Sequence, residues 1–217
     1  MKKITKYKNP KVVGVTGGIG SGQSSVCQIL SKLGCKVIDV DKKAKQIISK
    51  DRSLQKELIK TFGNEIFFKD GQLNRRLLAS IAFQDEEKTQ KLNRLVHPRM
   101  VSEVIEEMEN ARFSQKYPLV VIDAALIYEI SIEQMFDSII VVYTSLTNRI
   151  DRVIKRDGLT KDEILARVRR QIPLEEKKKW AEYVVDNDGS LEDLEKQTRN
   201  VFEKISDDIQ ISRAIRV

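Results

Sequence analysis

The 217-residue chain has only two cysteines and one histidine. Cys27 and Cys35 lie too far apart for a C-x-x-C pair, and no cysteine or histidine cluster surrounds them. That excludes a zinc site and a disulfide framework, and leaves two structural thiols suited to a reducing compartment. Aromatic residues make up 6% of the chain and are not grouped into a platform on which bases would stack, which argues against a nucleic-acid partner. No run is long and apolar enough to cross a bilayer, and the basic start, Met1 to Pro10, lacks the apolar stretch of a secretory leader. Internal repeats and low-complexity linkers are missing as well. A soluble, cytoplasmic protein with no membrane partner is the expectation.

The 39 basic residues exceed the 32 acidic ones to give a net charge of +7. The two signs are interspersed along the chain, a pattern that suits local phosphate sites better than a nucleic-acid stripe. With 41% hydrophobic residues, a chain of this length can bury one substantial core, or a core carrying a small inserted lobe.

The most informative segment is Gly14-Val15-Thr16-Gly17-Gly18-Ile19-Gly20-Ser21-Gly22-Gln23-Ser24-Ser25. Gly17, Gly22 and Ser24 fit the phosphate-loop pattern G-x-x-x-x-G-K-[ST], but the lysine position is Gln23. Glycines permit the positive-φ turns that aim successive backbone N–H groups inward, and the helix that follows offers its positive end to an anion. The cradle is present without its charged arm.

Around this loop the pattern reads as an α/β protein with a parallel sheet. Val12–Thr16 is a β-branched run, followed by Val26, Ile29, Leu30 and Leu33 at helical spacing and by Gly34 as a helix stop. Lys36–Asp41, Leu119–Ala124, Ser138–Tyr143 and Tyr183–Asp186 read as further strands. Near-continuous apolar strands separated by helices imply a sheet covered on both faces. Ligands on such sheets sit at the carboxyl ends of the strands, where the glycine loop, Asp41 and Asp123 fall.

About seventy residues between the second and third strands are too many for a simple crossover. They read as a helical lobe broken at Asp70-Gly71 and again at His97-Pro98. Beyond the fourth strand, Arg149, Arg152 and Arg156 fall along one helix face. Thr160 and Glu163 then form a capping box opening a second helix, which carries Arg167. Such a pair either closes over phosphates or presents a solvated basic face. The expected division is a core of 1–52, 114–147 and 180–217, a helical lobe of 53–113 and a lid of 148–179.

Over nearly its whole length the chain resembles the dephospho-CoA kinases. The likeness is carried in order by Val15 to Gly22, Val37-Ile38-Asp39-Val40-Asp41 with Ala44, His97-Pro98, Asp123 to Glu129, Arg156-Asp157-Gly158-Leu159-Thr160, Arg167 with Gln171, and Val184 to Gly189. The resemblance implies a P-loop kinase fold with a CoA-binding helical lobe and a lid. It also implies transfer of the γ-phosphate of ATP, with Mg²⁺, to the ribose 3′-hydroxyl of dephospho-CoA.

Carried onto this sequence, the resemblance places Gly20, Ser21, Gly22, Gln23, Ser24 and Ser25 around the ATP phosphates, with the Ser24 hydroxyl on Mg²⁺. Asp41 is the catalytic base and Arg152 the lid arginine against the transferring phosphoryl group. Arg156 and Arg167 stack on adenine, touch the β-phosphate or bridge lid helices. Thr16 and His97 are candidates for substrate contact, with a satisfied strand-end hydroxyl and a packed histidine as the respective alternatives. Asp39 either orients Mg²⁺ or water, or satisfies a helix N-terminus, and Asp123 offers a more distant link to the metal.

Position 23 departs from the family, as do the milder changes at Ser25 and Lys45. Lys11, Lys42 and Lys43 are the candidates for replacing the missing cation. Two other readings remain open at this stage. One is a nucleotide- or CoA-binding protein with little catalysis. The other is a related kinase acting on another small alcohol or a nucleoside monophosphate.

Overall fold

The computed structural model describes residues 7 and 9–214, with side chains as far as residue 207. Most of the basic N-terminal segment therefore lies outside the described residues. Strand β1 (Lys11–Gly17) shows no inside–outside alternation, because both of its faces are covered: every residue from Val12 to Gly17 is buried. The same reason accounts for the apolar runs of β3 (Leu119–Asp123) and β4 (Ser138–Tyr143). β1 is central. It pairs in parallel with β3 (Val12 opposite Val120) and with β4 (Gly14 opposite Ile139). β5 (Tyr183–Asp186) continues the sheet in parallel beyond β4, and β2 (Lys36–Asp39) lies beyond β3, giving the order β2-β3-β1-β4-β5.

Two helices seal one face. Helix α1 (Gln23–Lys32) contributes Val26, Ile29 and Leu30, and α9 (Leu191–Ala214) contributes Leu194, Val201 and Ile205, all packed on Val13, Val15, Val121 and Ile140. Against the other face, Leu174 of α8 (Leu174–Trp180) packs with Ile127, Tyr128, Ile139 and Val141. Helices α6 (Leu146–Asp157) and α7 (Lys161–Val168) meet through Ile150, Val153 and Ile164.

Local signals behave as expected at several ends. Thr160 and Glu163 form a reciprocal capping box, and Ser190 receives the Asp193 N–H at 3.1 Å. Gly34 ends α1 at φ 91°, while the Cys35 N–H reaches back to the Leu30 carbonyl. Cys27 and Cys35 are both buried thiols, and burial pushes the Cys35 pKa up to about 12. Among the described residues no helix is long and apolar enough to cross a membrane.

Residues 39–107 form a compact unit of their own. It consists of α2 (Val40–Lys50), α3 (Arg52–Phe62), α4 (Arg75–Ala82) and most of α5 (Glu86–Ser114), closed around Ile47, Leu54, Leu58, Ile66 and Leu78. The Asp70-Gly71 turn is present: Gly71 has φ 81°, its N–H donates to the Phe68 carbonyl, and Asp70 accepts from the Gln72 N–H.

Two expectations are corrected within this unit. The second strand stops at Asp39, where it was read to run to Asp41, because the Asp39 carboxylate accepts the Lys42 N–H at 2.7 Å and caps α2. Asp41 is therefore an exposed residue in the first turn of a helix and does not share an extended face with Asp39. The His97-Pro98 break is also absent, since α5 runs unbroken through Pro98.

Proline inside a helix removes one hydrogen bond and costs about 3 kcal/mol against alanine. Val96 and Met100, on either side of Pro98, are buried in the core of this unit, and such burial contributes roughly 1.5–3 kcal/mol per side chain. Arg99 adds ion pairs to Asp51 at 3.1 Å and Glu57 at 2.7 Å. Packing thus overrides the local break. Pro98→Ala is expected to raise stability by about 1–3 kcal/mol, read as an upward shift of the urea midpoint with an unchanged slope. A loss of stability would mean that the ring makes a contact alanine cannot replace.

Candidate active site

The connections leaving β1, β3, β4 and β5 gather at the carboxyl edge of the sheet, where the chain leaves β1 for β2 on one side and β3 for β4 on the other. The glycine loop occupies this place. Gly20 and Gly22 have φ of 79° and 91°, and Gly22 is the N-cap of α1. A side chain on Gly20 would meet the Arg149 backbone carbonyl at 2.6 Å, and one on Gly22 would overlap the Asn187 amide. Both positions therefore require glycine for space as well as for backbone conformation.

Some of the loop's N–H groups are already committed. Ile19 donates to Gln171 Oε1 at 3.0 Å, Ser21 to the Gly18 carbonyl and Ser25 to the Gly22 carbonyl. Those of Gly20, Gly22, Gln23 and Ser24 have no acceptor among the described residues. These four orphan donors at a helix N-terminus constitute the anion site. Ser24 is exposed there, while Ser21 is buried and its hydroxyl has no partner.

Gln23 does not reach out of the loop. Its side-chain amide donates to the Val15 carbonyl at 2.9 Å and to Asp123 Oδ1. Both donors of the amide are spent on strand ends, so only the backbone N–H of Gln23 remains for a phosphate. Gln23 can thus belong to the loop's phosphate cradle through its backbone alone. Asp123 sits at the tip of β3. Thr16 is fully buried and donates to the Ala125 carbonyl at 3.1 Å.

Three residues that the sequence did not single out hold the loop from behind. Thr144 and Asn187 donate to the Ser21 carbonyl at 2.9 and 2.8 Å. Lys177, the largest fully buried side chain, pairs with Glu129 Oε1 at 2.7 Å and donates to the carbonyls of Ala125 and Gly17 at 3.0 and 3.3 Å. Burial lowers the Lys177 pKa, and the Glu129 carboxylate opposes that shift. Asn187 opens an Asn-Asp-Gly-Ser turn after β5, a detectable signal. Lys177 lies in a run of three lysines, and nothing local marks it as the buried one.

Beside the loop is a cleft of about 320 Å³ lined by Gly20, Gly22, Ser25, Arg152, Arg156, Asn187, Gly189, Leu191 and Leu194. Arg152 donates to the Asn187 carbonyl at 2.7 Å, leaving its other guanidinium nitrogens for a ligand. Arg156 is held by both oxygens of Asp157 at 2.8 Å, and that contact raises its pKa against the effect of burial. Asp188 ties the neighbouring turn to the start of α6, accepting from the Ser145 N–H at 3.0 Å and from Asn148 at 2.8 Å. Arg167 is exposed on α7.

Of the proposed replacement cations, Lys11 begins β1 at the end remote from the loop, about 20 Å away by strand rise. It is thereby ruled out. Lys43, in the other unit, pairs with Glu107 at 2.6 Å, which raises its pKa. His97 lies half-buried on α5, and burial lowers its pKa.

Comparison with known proteins identifies relatives of this whole arrangement. The family model for dephospho-CoA kinase matches residues 11–193. A dephospho-CoA kinase of Listeria innocua is 37% identical over 194 residues, spanning 89% of this chain and 96% of its own. One from Aquifex aeolicus is 36% identical over 198 residues, spanning 91% and 99%. A crystal structure from Thermus thermophilus matches with a TM-score of 0.77 at 36% identity, covering 91% of this chain and 98% of that one. A dephospho-CoA kinase from Campylobacter jejuni has a TM-score of 0.64 at 26% identity, covering 91% and 98%. A shikimate kinase from Acinetobacter baumannii, at 11% identity and a TM-score of 0.52 over 93% and 96% of the two chains, shares the fold.

Proposed function

Because this chain belongs to the dephospho-CoA kinase family, we propose that it transfers the γ-phosphoryl group of ATP to the ribose 3′-hydroxyl of dephospho-CoA, yielding coenzyme A and ADP. The observation that carries the reading is the glycine loop itself. Four unpaired N–H groups open beside a cleft furnished with Arg152, Arg156 and Asn187. That is a site for a nucleoside polyphosphate with its base in the cleft and its phosphates on the loop.

Phosphoryl transfer asks the protein for position and for offsetting charge, with little covalent chemistry of its own. The backbone donors of Gly20, Gly22, Gln23 and Ser24 hold the phosphate chain in line. Arg152, anchored through one nitrogen, presents the rest of its planar fork to the equatorial oxygens, whose charge grows in the transition state. Asp41 accepts the proton of the attacking hydroxyl, and His97 and the helical unit around it serve the CoA end of the substrate.

The donor set at the head of α1 is oxygen-rich: the exposed Ser24 hydroxyl and, at the tip of β3, the Asp123 carboxylate. Hard oxygen ligands of this kind fit Mg²⁺, which when bound neutralises charge on the β- and γ-phosphate oxygens. Purified protein supplied with Mg-ATP and dephospho-CoA is expected to form coenzyme A, measured by chromatography. Formation no faster than the protein-free control rejects the reading. Binding of ATP without turnover would favour the non-catalytic alternative.

A further inference from the structure

We infer that Arg149 supplies the phosphate loop with the positive charge that position 23 lacks. The inference rests on the nucleotide reading above and concerns which side chain makes the loop cationic. Lysine at position 23 would bring a full charge and three donors. Gln23 brings neither to the anion, because its amide is neutral and its two donors are spent on Val15 and Asp123.

Arg149 reaches the same loop from the first turn of α6. Its Nε donates to the Ile19 carbonyl at 2.8 Å. The rest of its guanidinium lies against Gly18, so closely that a methyl group at position 18 would stand 2.5 Å from Nη2 and 2.6 Å from Cζ. The side chain is therefore built into the loop, and glycine at 18 makes room for it.

Charge accounting distinguishes Arg149 from two other cations near the loop, Lys177 and Arg156. The charge of Lys177 is cancelled by Glu129 at 2.7 Å, and that of Arg156 by Asp157 at 2.8 Å. Arg149 is 5% exposed and has no carboxylate within ion-pairing distance among the described residues. Burial accordingly depresses its pKa, with only the Tyr143 hydroxyl acting in the opposite sense. A buried guanidinium without a counter-charge is costly in the empty protein, and an anion seated on the neighbouring N–H groups relieves that cost. The arrangement favours the phosphate chain through charge, while the glycine backbone supplies geometry.

The test is equilibrium binding of ATP and of adenosine, by calorimetry at low and high salt, to the wild-type protein and to Arg149→Gln, Arg149→Lys and the Arg149→Gln/Gln23→Lys double variant. Arg149→Gln is expected to weaken ATP binding about 10–100-fold, to reduce its salt dependence, and to leave adenosine affinity within about twofold. It should leave the melting temperature of the ligand-free protein unchanged or higher, because a buried unpaired charge has been removed.

Arg149→Lys should retain part of the ATP affinity, and moving the charge to position 23 in the double variant should restore at least tenfold of it. The inference is overturned if Arg149→Gln binds ATP as the wild type does, or loses ATP and adenosine affinity in equal ratio as a purely structural residue would. If Arg149→Gln does not fold, Arg149→Lys and the double variant decide in the same terms. A wild-type protein that binds neither ligand overturns the nucleotide reading, and this one with it.

Discussion

Asp41→Asn is expected to lower coenzyme A formation by about 10²–10⁴-fold while leaving ATP affinity and the melting temperature close to wild type. Asparagine keeps the shape of the side chain and removes its ability to take a proton. In the structure Asp41 is an exposed residue in the first turn of α2, and Asp39, two residues earlier, caps that helix. The fold therefore leans little on Asp41. Its interaction with the positive end of the helix contributes only about 0.3–1 kcal/mol, so a large loss of rate cannot be charged to unfolding. The measurement is a pair of steady-state curves with a thermal melt on the same preparation. A rate within tenfold of wild type would remove Asp41 from the role of base. A parallel collapse of the melt would show that its role is structural.

Lys177→Met is expected to destabilise the protein by about 3–5 kcal/mol, the usual consequence of stripping one partner from a buried ion pair. For a chain of this size that corresponds to a fall of roughly 6–20 °C in melting temperature. Three bonds are lost together: the pair with Glu129 and the donations to Ala125 and Gly17. One oxygen of Glu129 is already buried without a hydrogen-bond partner, so the carboxylate left behind has nowhere to discharge its cost. Adding Glu129→Gln should recover at least half of the loss, because the neutral amide oxygen can still accept the Ile172 N–H that now reaches Glu129 at 3.0 Å. Because Gly17 begins the glycine loop, the single variant should also raise the KM for ATP. A cost below 1 kcal/mol, or no recovery in the double variant, would show that the pair is not what secures this corner.

Periodicity and punctuation made much of the scaffold legible. The β-branched runs became strands within a residue or two of their expected ends, and the capping pair at Thr160 and Glu163 fell where it was read. Those signals are local, and so is the chemistry behind them. The misreadings have two causes, one tertiary and one a local cap that was overlooked. Pro98 was taken as a break because a proline inside a helix is locally unfavourable, yet burial of Val96 and Met100 outweighs it. Asp41 was taken as a strand end because Lys36–Asp41 is apolar enough to extend, but the Asp39 cap turned the chain two residues earlier.

The site divides along the same line. The order of the residues alone determined that this protein carries a glycine loop without its lysine, at the end of a buried strand, because backbone freedom and helix polarity are written in neighbouring positions. Which charge serves that loop was decided only by the tertiary structure. Arg149 lies more than a hundred positions from Gly18 in the chain, and Lys177 more distant still. Coulombic and packing energies depend on distance through space and on burial, and neither is set until the sheet has brought its strand ends together.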